Sequence, residues 1–437
     1  VCSSDLLRLI KENDKDFNSH FDALLKTASA TKDDLNGLVL SIIDEVKVNG
    51  DKALIEQVSK FDTWTPKDSN ALKISEAEID AAYDSCDPEL KKALHLAYDR
   101  ITSFHEKQLP KSWVHYEDNG SMLGQKVTAV DCAGLYIPGG KASYPSSLIM
   151  NTVPAKVAGV KNIIACVPCP NDELNPVVLA AAKVCGLTQL YKVGGAGAIA
   201  AMAYGTETIA KVDVITGPGN IFVATAKKLL FGEVNIDMIA GPSEIGILAD
   251  ESADANTLAI DLLSQAEHDE MARSILVTTD ETLAKEVIKE VELVLQTLPR
   301  EKIARTSIEN NGLIILARSM DSALELMNKL APEHLEVLTI NPHELLPRIR
   351  HAGAIFLGKY TPEAIGDYIA GPNHTLPTSG TARFFSPLGV EHFMKKSSII
   401  SLSKEGLEEI GEAAAILAKV EGLDAHRLSV ETRLNQK

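Results

Sequence analysis

From about residue 125 to about residue 360, short apolar runs that end in Gly or Pro recur along the chain: "AGLYIPGG", "NIIACVP", "LTQLYKVGG", "VDVITGPG" and "EIGILAD". They alternate with helical stretches such as "NPVVLAAAKVCG" and "AIAAMAYGTETIA". Continuous apolar runs, as opposed to apolar-polar alternation, mark strands covered on both faces, and a parallel α/β sheet is the arrangement that covers them. A second set follows, "RSILVTTD", "NGLIILA", "LEVLTI" and "GAIFLG", separated by "ETLAKEVIKEVELVLQTL" and "SMDSALELMNKL". Two α/β units in succession are expected. Residues 1 to about 115 read as helices, with their period broken at Asn49-Gly50. The last stretch, about 45 residues, reads as one or two helices without a core of their own, a tail that docks on its own body or on another subunit.

At 437 residues the chain exceeds one ordinary core, so two or three domains are expected. A net charge of −17 with no Lys/Arg cluster excludes nucleic acid as a natural partner, since that requires a basic surface. No apolar run reaches the length of about 18–20 residues that a membrane span needs. The beginning, "VCSSDLLRLIKENDKDF", has no signal-peptide core, and Val in place of Met suggests a trimmed N-terminus. Six cysteines in so long a chain make no disulfide framework, which points to the reducing cytoplasm. Cys166 and Cys169 form a lone CxxC, with no second pair to complete a zinc site, and read as small apolar residues at a strand end.

Several polar groups stand out from this background. In "LLSQAEHDEMA", Gln265 falls at the rim of an apolar helical stripe, and His268 lies one turn on. Residues three apart on a helix are neighbours, so their tips can converge on a metal ion or simply on a nearby loop. Three Gly-Pro turns carry Asn220, then Ser243 with Glu244, then Asn373 with His374. Polar residues just after strand ends sit where α/β proteins bind ligands. "LAPEHLEV" sets Glu333 beside His334; a histidine shuttles protons near neutral pH and a carboxylate activates water. Gln265, His268, Asp367 and His426 would together make an N₂O₂ shell suited to zinc. Gly195, Gly197 and Ala200 show G-x-G-x-x-A spacing, with Asp213 at the distance of a ribose-binding acid. Gly-rich turns recur throughout α/β proteins, so that spacing leaves a dinucleotide loop and a plain turn both open.

The segments "GLYIPGGKASYPSSLIMN", "VDVITGPGNIFVATAKK", "GPSEIGILAD", "LLSQAEHD", "APEHLE", "GDYIAGPNHTLPT" and "EGLDAHRLS" together resemble the histidinol dehydrogenase family, in order and at similar intervals. The resemblance runs from about residue 30 to about residue 430. It implies oxidation of L-histidinol to L-histidine through L-histidinal, with two NAD consumed and one zinc per subunit. The fold it implies is a pair of incomplete Rossmann-like domains with extended N- and C-terminal helical arms, assembled as an intertwined homodimer. Residues 1–30 would be the N-terminal arm and 389–437 the C-terminal arm reaching the partner subunit. Residues 31–135 with 243–388 would form the first domain, carrying most metal and catalytic residues, and 136–242 the second, on the NAD side.

By the same resemblance Gln265, His268 and Asp367 are zinc ligands, with His426 of the partner subunit as the fourth. Ser243 and Glu421 join them and His334 in holding substrate. Glu333 and His334 are the catalytic pair, and Tyr136, Gly197 and Asn220 are the NAD contacts. One position departs: the family places Gln where this chain has Gly197, and the G-x-G-x-x-A spacing exists only through that change. It is therefore discounted as a phosphate loop, and NAD binding is expected to be weaker or differently arranged. A zinc dehydrogenase of another polar alcohol, a zinc hydrolase using Glu333 without NAD, and an inactive binding protein are the competing readings. Cys132 and Cys166 offer a thiohemiacetal route that the Glu-His pair makes unnecessary.

Overall fold

The computed structural model describes residues 6–27, 33–139 and 144–435, so the expected boundary between arm and body at residues 30 and 31 lies outside the described residues. Six parallel strands lie in the order Arg8–Lys11, Gly312–Leu316, Arg273–Thr278, Glu244–Ala249, His334–Leu338, Ala354–Leu357. Two adjacent interior strands, Glu244–Ala249 and His334–Leu338, are buried at every residue. Alternate side chains of a strand face opposite ways. Ile245, Ile247 and Ala249 accordingly meet Leu258, Leu262 and Leu263 of the Ala255–Ala266 helix, while Leu248 joins Leu324 and Met327 on the other face.

A second parallel sheet orders Leu190–Tyr191, Asn162–Cys166, Cys132–Tyr136, Val214–Thr216 and Asn235–Ile236. Val39, Ile43 and Val46 of the Asp33–Asn49 helix share its core with Ala198, Ile199 and Met202 of the Gly195–Tyr204 helix. Helix starts follow the side-chain chemistry. Asp254 accepts the Thr257 N–H at 2.9 Å and Asp280 the Leu283 N–H at 2.6 Å, each satisfying a donor that a first turn leaves free. The protein is thus a mixed α/β structure with parallel sheets, as the apolar runs imply.

The chain divides into two compact units, Val1–Gln108 with Asp131–Phe393, and Leu109–Val130 with Met394–Lys437. Both parallel sheets belong to the first. In the second, Met394–Ser401 and Trp113–Tyr116 flank Met122–Ala129 in an antiparallel sheet, and the helices Lys404–Val420 and Asp424–Leu434 pack together.

Three strands depart from the expectation of purely helical ends: Arg8–Lys11, Trp113–Tyr116 and Met394–Ser401. Arg8–Lys11 and Met394–Ser401 owe their form to partners far away in sequence, which no local period announces, whereas Trp113–Tyr116 pairs with the nearby Met122–Ala129. Among the described residues, no helix is long and apolar enough to cross a membrane.

Candidate active site

His334 opens its strand opposite Ile245, next to the strand that Glu244 opens. Glu333, one residue earlier, accepts the Glu244 N–H on Oε2 at 2.8 Å, and the Glu244 carbonyl faces His334 Nδ1 at 3.0 Å. One residue's backbone therefore orients both side chains. With Nδ1–H donated to a carbonyl, the neutral ring keeps its lone pair on Nε2. Nε2 is buried and has no hydrogen-bond partner among the described residues. Asp367 Oδ1 lies 3.6 Å from it and Glu363 Oε1 3.7 Å, both just beyond hydrogen-bond reach.

Those carboxylates come from the short Glu363–Tyr368 helix, four residues apart and so on one face. His334, Glu363 and Asp367 bring ligand-type atoms within 4.8 Å of one another. Gln265, 1% exposed, is buried instead of lying at the rim of its stripe, and its Oε1 also lacks a partner. The helix ends at Ala266, and the His268 N–H donates to the Gln265 carbonyl at 3.2 Å in the closing turn. His374 donates its Nδ1–H to the Asp367 carbonyl at 2.8 Å, and its Nε2 bonds with Ser147 Oγ at 3.1 Å. Asn373 donates to the Met150 carbonyl at 2.6 Å. The third Gly-Pro turn thereby ties the Asp367 segment to the Pro145–Ala158 helix.

The electrostatics follow from burying these groups together. Burial drives the Glu333 carboxyl up to about 8, against the pull of His334. For His334 burial alone would lower the imidazole, but Glu333, Asp367 and Glu363 override it and hold the ring up at about 10. Burial would raise Asp367, yet the imidazoles of His334, His374 and His268 keep it down at about 2. Burial pushes His268 down, with the Asp367 carboxylate opposing. Unpartnered buried oxygen and nitrogen atoms beside an ionised carboxylate form a set that a divalent cation with a polar ligand would satisfy.

A family model described as histidinol dehydrogenase matches residues 25–434. Histidinol dehydrogenase of Sulfurimonas denitrificans is 62% identical over 418 residues, covering 96% of this chain and 97% of its own. That of Wolinella succinogenes is 61% identical over 419 residues, again covering 96% and 97%. The solved histidinol dehydrogenase of Elizabethkingia anophelis superposes with a TM-score of 0.92 at 36% identity, covering 99% of each chain. The chain belongs to the histidinol dehydrogenase family. It is thereby an oxidoreductase.

The remaining residues expected from the histidinol dehydrogenase resemblance lie as follows. Ser243 is partly exposed just ahead of the Glu244–Ala249 strand, its carbonyl accepting the Arg273 N–H at 2.9 Å. The "GPSE" turn thus precedes a strand, contrary to the expectation that it follows one. With Glu333 and His334 it places the polar cluster at the amino ends of the adjacent Glu244–Ala249 and His334–Leu338 strands. Glu421 closes the Lys404–Val420 helix and His426 lies in Asp424–Leu434, both exposed on the second unit.

Tyr136, at the carboxyl end of its strand, accepts the Gly195 N–H on its hydroxyl at 3.1 Å. Asn220 caps the Ile221–Leu230 helix, accepting the Phe222 and Val223 N–H groups at 3.0 and 3.2 Å. At Gly197 a Cβ would overlap Gln57 Oε1, and Gln57 Nε2 is buried without a partner among the described residues. Asp213 accepts the N–H groups of Asp131 and Cys132, both at 2.9 Å, so its carboxylate organises a strand start. Burial raises the Cys132 and Cys166 thiols to about 11 and about 12, which disfavours thiolate chemistry. Sequence reasoning missed Glu363. Its i, i+4 spacing to Asp367 in "TPEAIGDY" was the available signal.

Proposed function

We propose that this chain oxidises L-histidinol to L-histidine through enzyme-held L-histidinal, the closing steps of histidine biosynthesis. The observation that carries this reading is the convergence of Glu333, Glu363 and Asp367 on the buried His334 ring, whose Nε2 has no hydrogen-bond partner among the described residues. Zinc, when bound by Gln265, His268 and Asp367 with His426 of the partner subunit, would hold the substrate's amine and imidazole nitrogens and orient its carbinol. NAD, on the side of Tyr136, Gly197 and Asn220, would accept the hydride in each of two oxidations.

The chain's own groups handle the protons. His334 Nε2, left basic by the Nδ1–H donated to Glu244, takes the alcohol proton in the first oxidation. Glu333, held by the Glu244 N–H, then activates the water that adds to the aldehyde. His334 accepts the proton of the hydrate in the second oxidation. Ser243 and Glu421 would complete the substrate contacts.

The matching assembly is a homodimer of two Rossmann-like domains per chain, 31–135 with 243–388 and 136–242. Arms 1–30 and 389–437 would reach between subunits, and the setting would be the cytoplasm. The deciding experiment follows NADH on adding L-histidinol, with metal first removed by chelation and then restored as zinc. Two NADH per histidinol, lost on chelation and regained with zinc, is expected. No NADH would refute the reading and leave a dehydrogenase of another polar alcohol or the hydrolase.

A further inference from the structure

Three elements supply the proposed site: the His334–Leu338 strand, the Ala255–Ala266 helix with Gln265, and the Glu363–Tyr368 helix with Asp367. Each also carries an acid that the mechanism leaves unused. Glu336 is two residues beyond His334 and therefore on the same face of the strand. Asp261 is four residues before Gln265 and Glu363 four before Asp367, each on the same helical face as its counterpart. These acids meet. Glu336, 0% exposed, accepts the Glu363 N–H on Oε1 at 2.7 Å, at the first turn of the Glu363–Tyr368 helix. Its other oxygen, Oε2, is buried with no hydrogen-bond partner among the described residues; burial raises the group, and the nearby Asp261 carboxyl, 9% exposed, raises it further by its charge. Ser264 Oγ, from the Asp261 helix, donates to Glu363 Oε2 at 3.0 Å.

We propose that Glu336 is a positioning residue that ties the start of the Asp367 helix to the His334 strand, with Ser264 of the Gln265 helix bound to the same Glu363, and so sets the metal-binding geometry. A carboxylate buried in a strand interior is costly unless its oxygens are engaged. Here one oxygen accepts a helix N–H that would otherwise be free. The other oxygen has no hydrogen-bond partner among the described residues, so the helix contact is the hydrogen bond that fixes this carboxyl. The fixed elements differ in nature, one strand and two helices, and apolar packing alone permits small sliding between them. Directional hydrogen bonds do not.

The inference rests on Gln265 and Asp367 as metal ligands. Its test measures zinc affinity by chelator competition and the visible spectrum of the cobalt-loaded full-length protein, alongside thermal melting of the metal-free form. Glu336→Met removes the Glu363 hydrogen bond and should weaken zinc binding by about 10–100-fold and alter the cobalt spectrum. Glu336→Gln, whose carboxamide oxygen accepts the Glu363 N–H, should restore both. If Glu336→Met does not fold, Ser264→Ala, which removes the hydroxyl bound to Glu363 Oε2, carries the same expectation with Ser264→Thr as its rescue. Wild-type affinity and spectrum in Glu336→Met, or no rescue by Glu336→Gln, would overturn the inference. Absence of zinc binding in the wild type would overturn the ligand assignment as well, a distinguishable result.

Discussion

Glu244 holds His334 by its carbonyl at 3.0 Å, while its own N–H holds Glu333 at 2.8 Å. A single peptide stretch at the start of a central strand thus sets the base and the water-activating acid relative to each other. Neither depends on a flexible side chain for its aim.

Glu333→Gln separates the two oxidations. The amide oxygen still accepts the Glu244 N–H, so His334 keeps its place, but the group can no longer take a proton from water. The second oxidation should fall by about 10²–10⁴-fold while the first persists. Product analysis with NADH counting checks this: one NADH and accumulating histidinal are expected. A variant that still makes two NADH at the normal rate would remove Glu333 from this role.

Metal uptake should release protons at neutral pH. Glu333 is held up at about 8 chiefly by burial, and His334 at about 10 by its carboxylates against its burial, so both carry protons at pH 7. A dication favours the deprotonated forms and offsets the carboxylate field on His334. Protons therefore leave as zinc binds, and apparent affinity rises with pH between 7 and about 10. Calorimetric titration in buffers of different ionisation enthalpy reads the number released. Heats independent of the buffer would contradict the assignment.

The Gly197 position should tune cofactor binding. Gln57 lies where a side chain at 197 would go, so Gly197→Gln must displace it. Gly197→Gln combined with Gln57→Ala should alter NADH affinity by about 2–10-fold, the worth of one hydrogen bond. Fluorescence titration measures it. An unchanged affinity in the double variant would detach residue 197 from the cofactor.

Lys227→Met tests a buried ion pair beneath the "GPGN" turn. Lys227 is 2% exposed; it donates to the Gly217 carbonyl at 2.9 Å and pairs with the buried Asp237. Removing the cation strands a buried carboxylate, which costs about 3–5 kcal/mol. Denaturant unfolding should show that loss; a change below about 1 kcal/mol would overturn the ion pair's role in stability.

The sequence by itself determined the parallel α/β class, because strands covered on both faces must be continuously apolar, and "EIGILA" and "HLEVL" are buried throughout. It also singled out Glu333, His334 and Asp367, through unusual polar residues beside strands and Gly-Pro turns. Only the tertiary structure decided that the polar cluster sits at the amino ends of its strands, that Glu363 joins it, and that Glu336 and Asp261 stand behind it. It alone revealed the Arg8–Lys11 strand, which exists by pairing with Gly312–Leu316. The reason is the same in each case. Periodicity records which face of an element is buried, whereas strand partners and the meeting of side chains from distant segments are set by non-local packing.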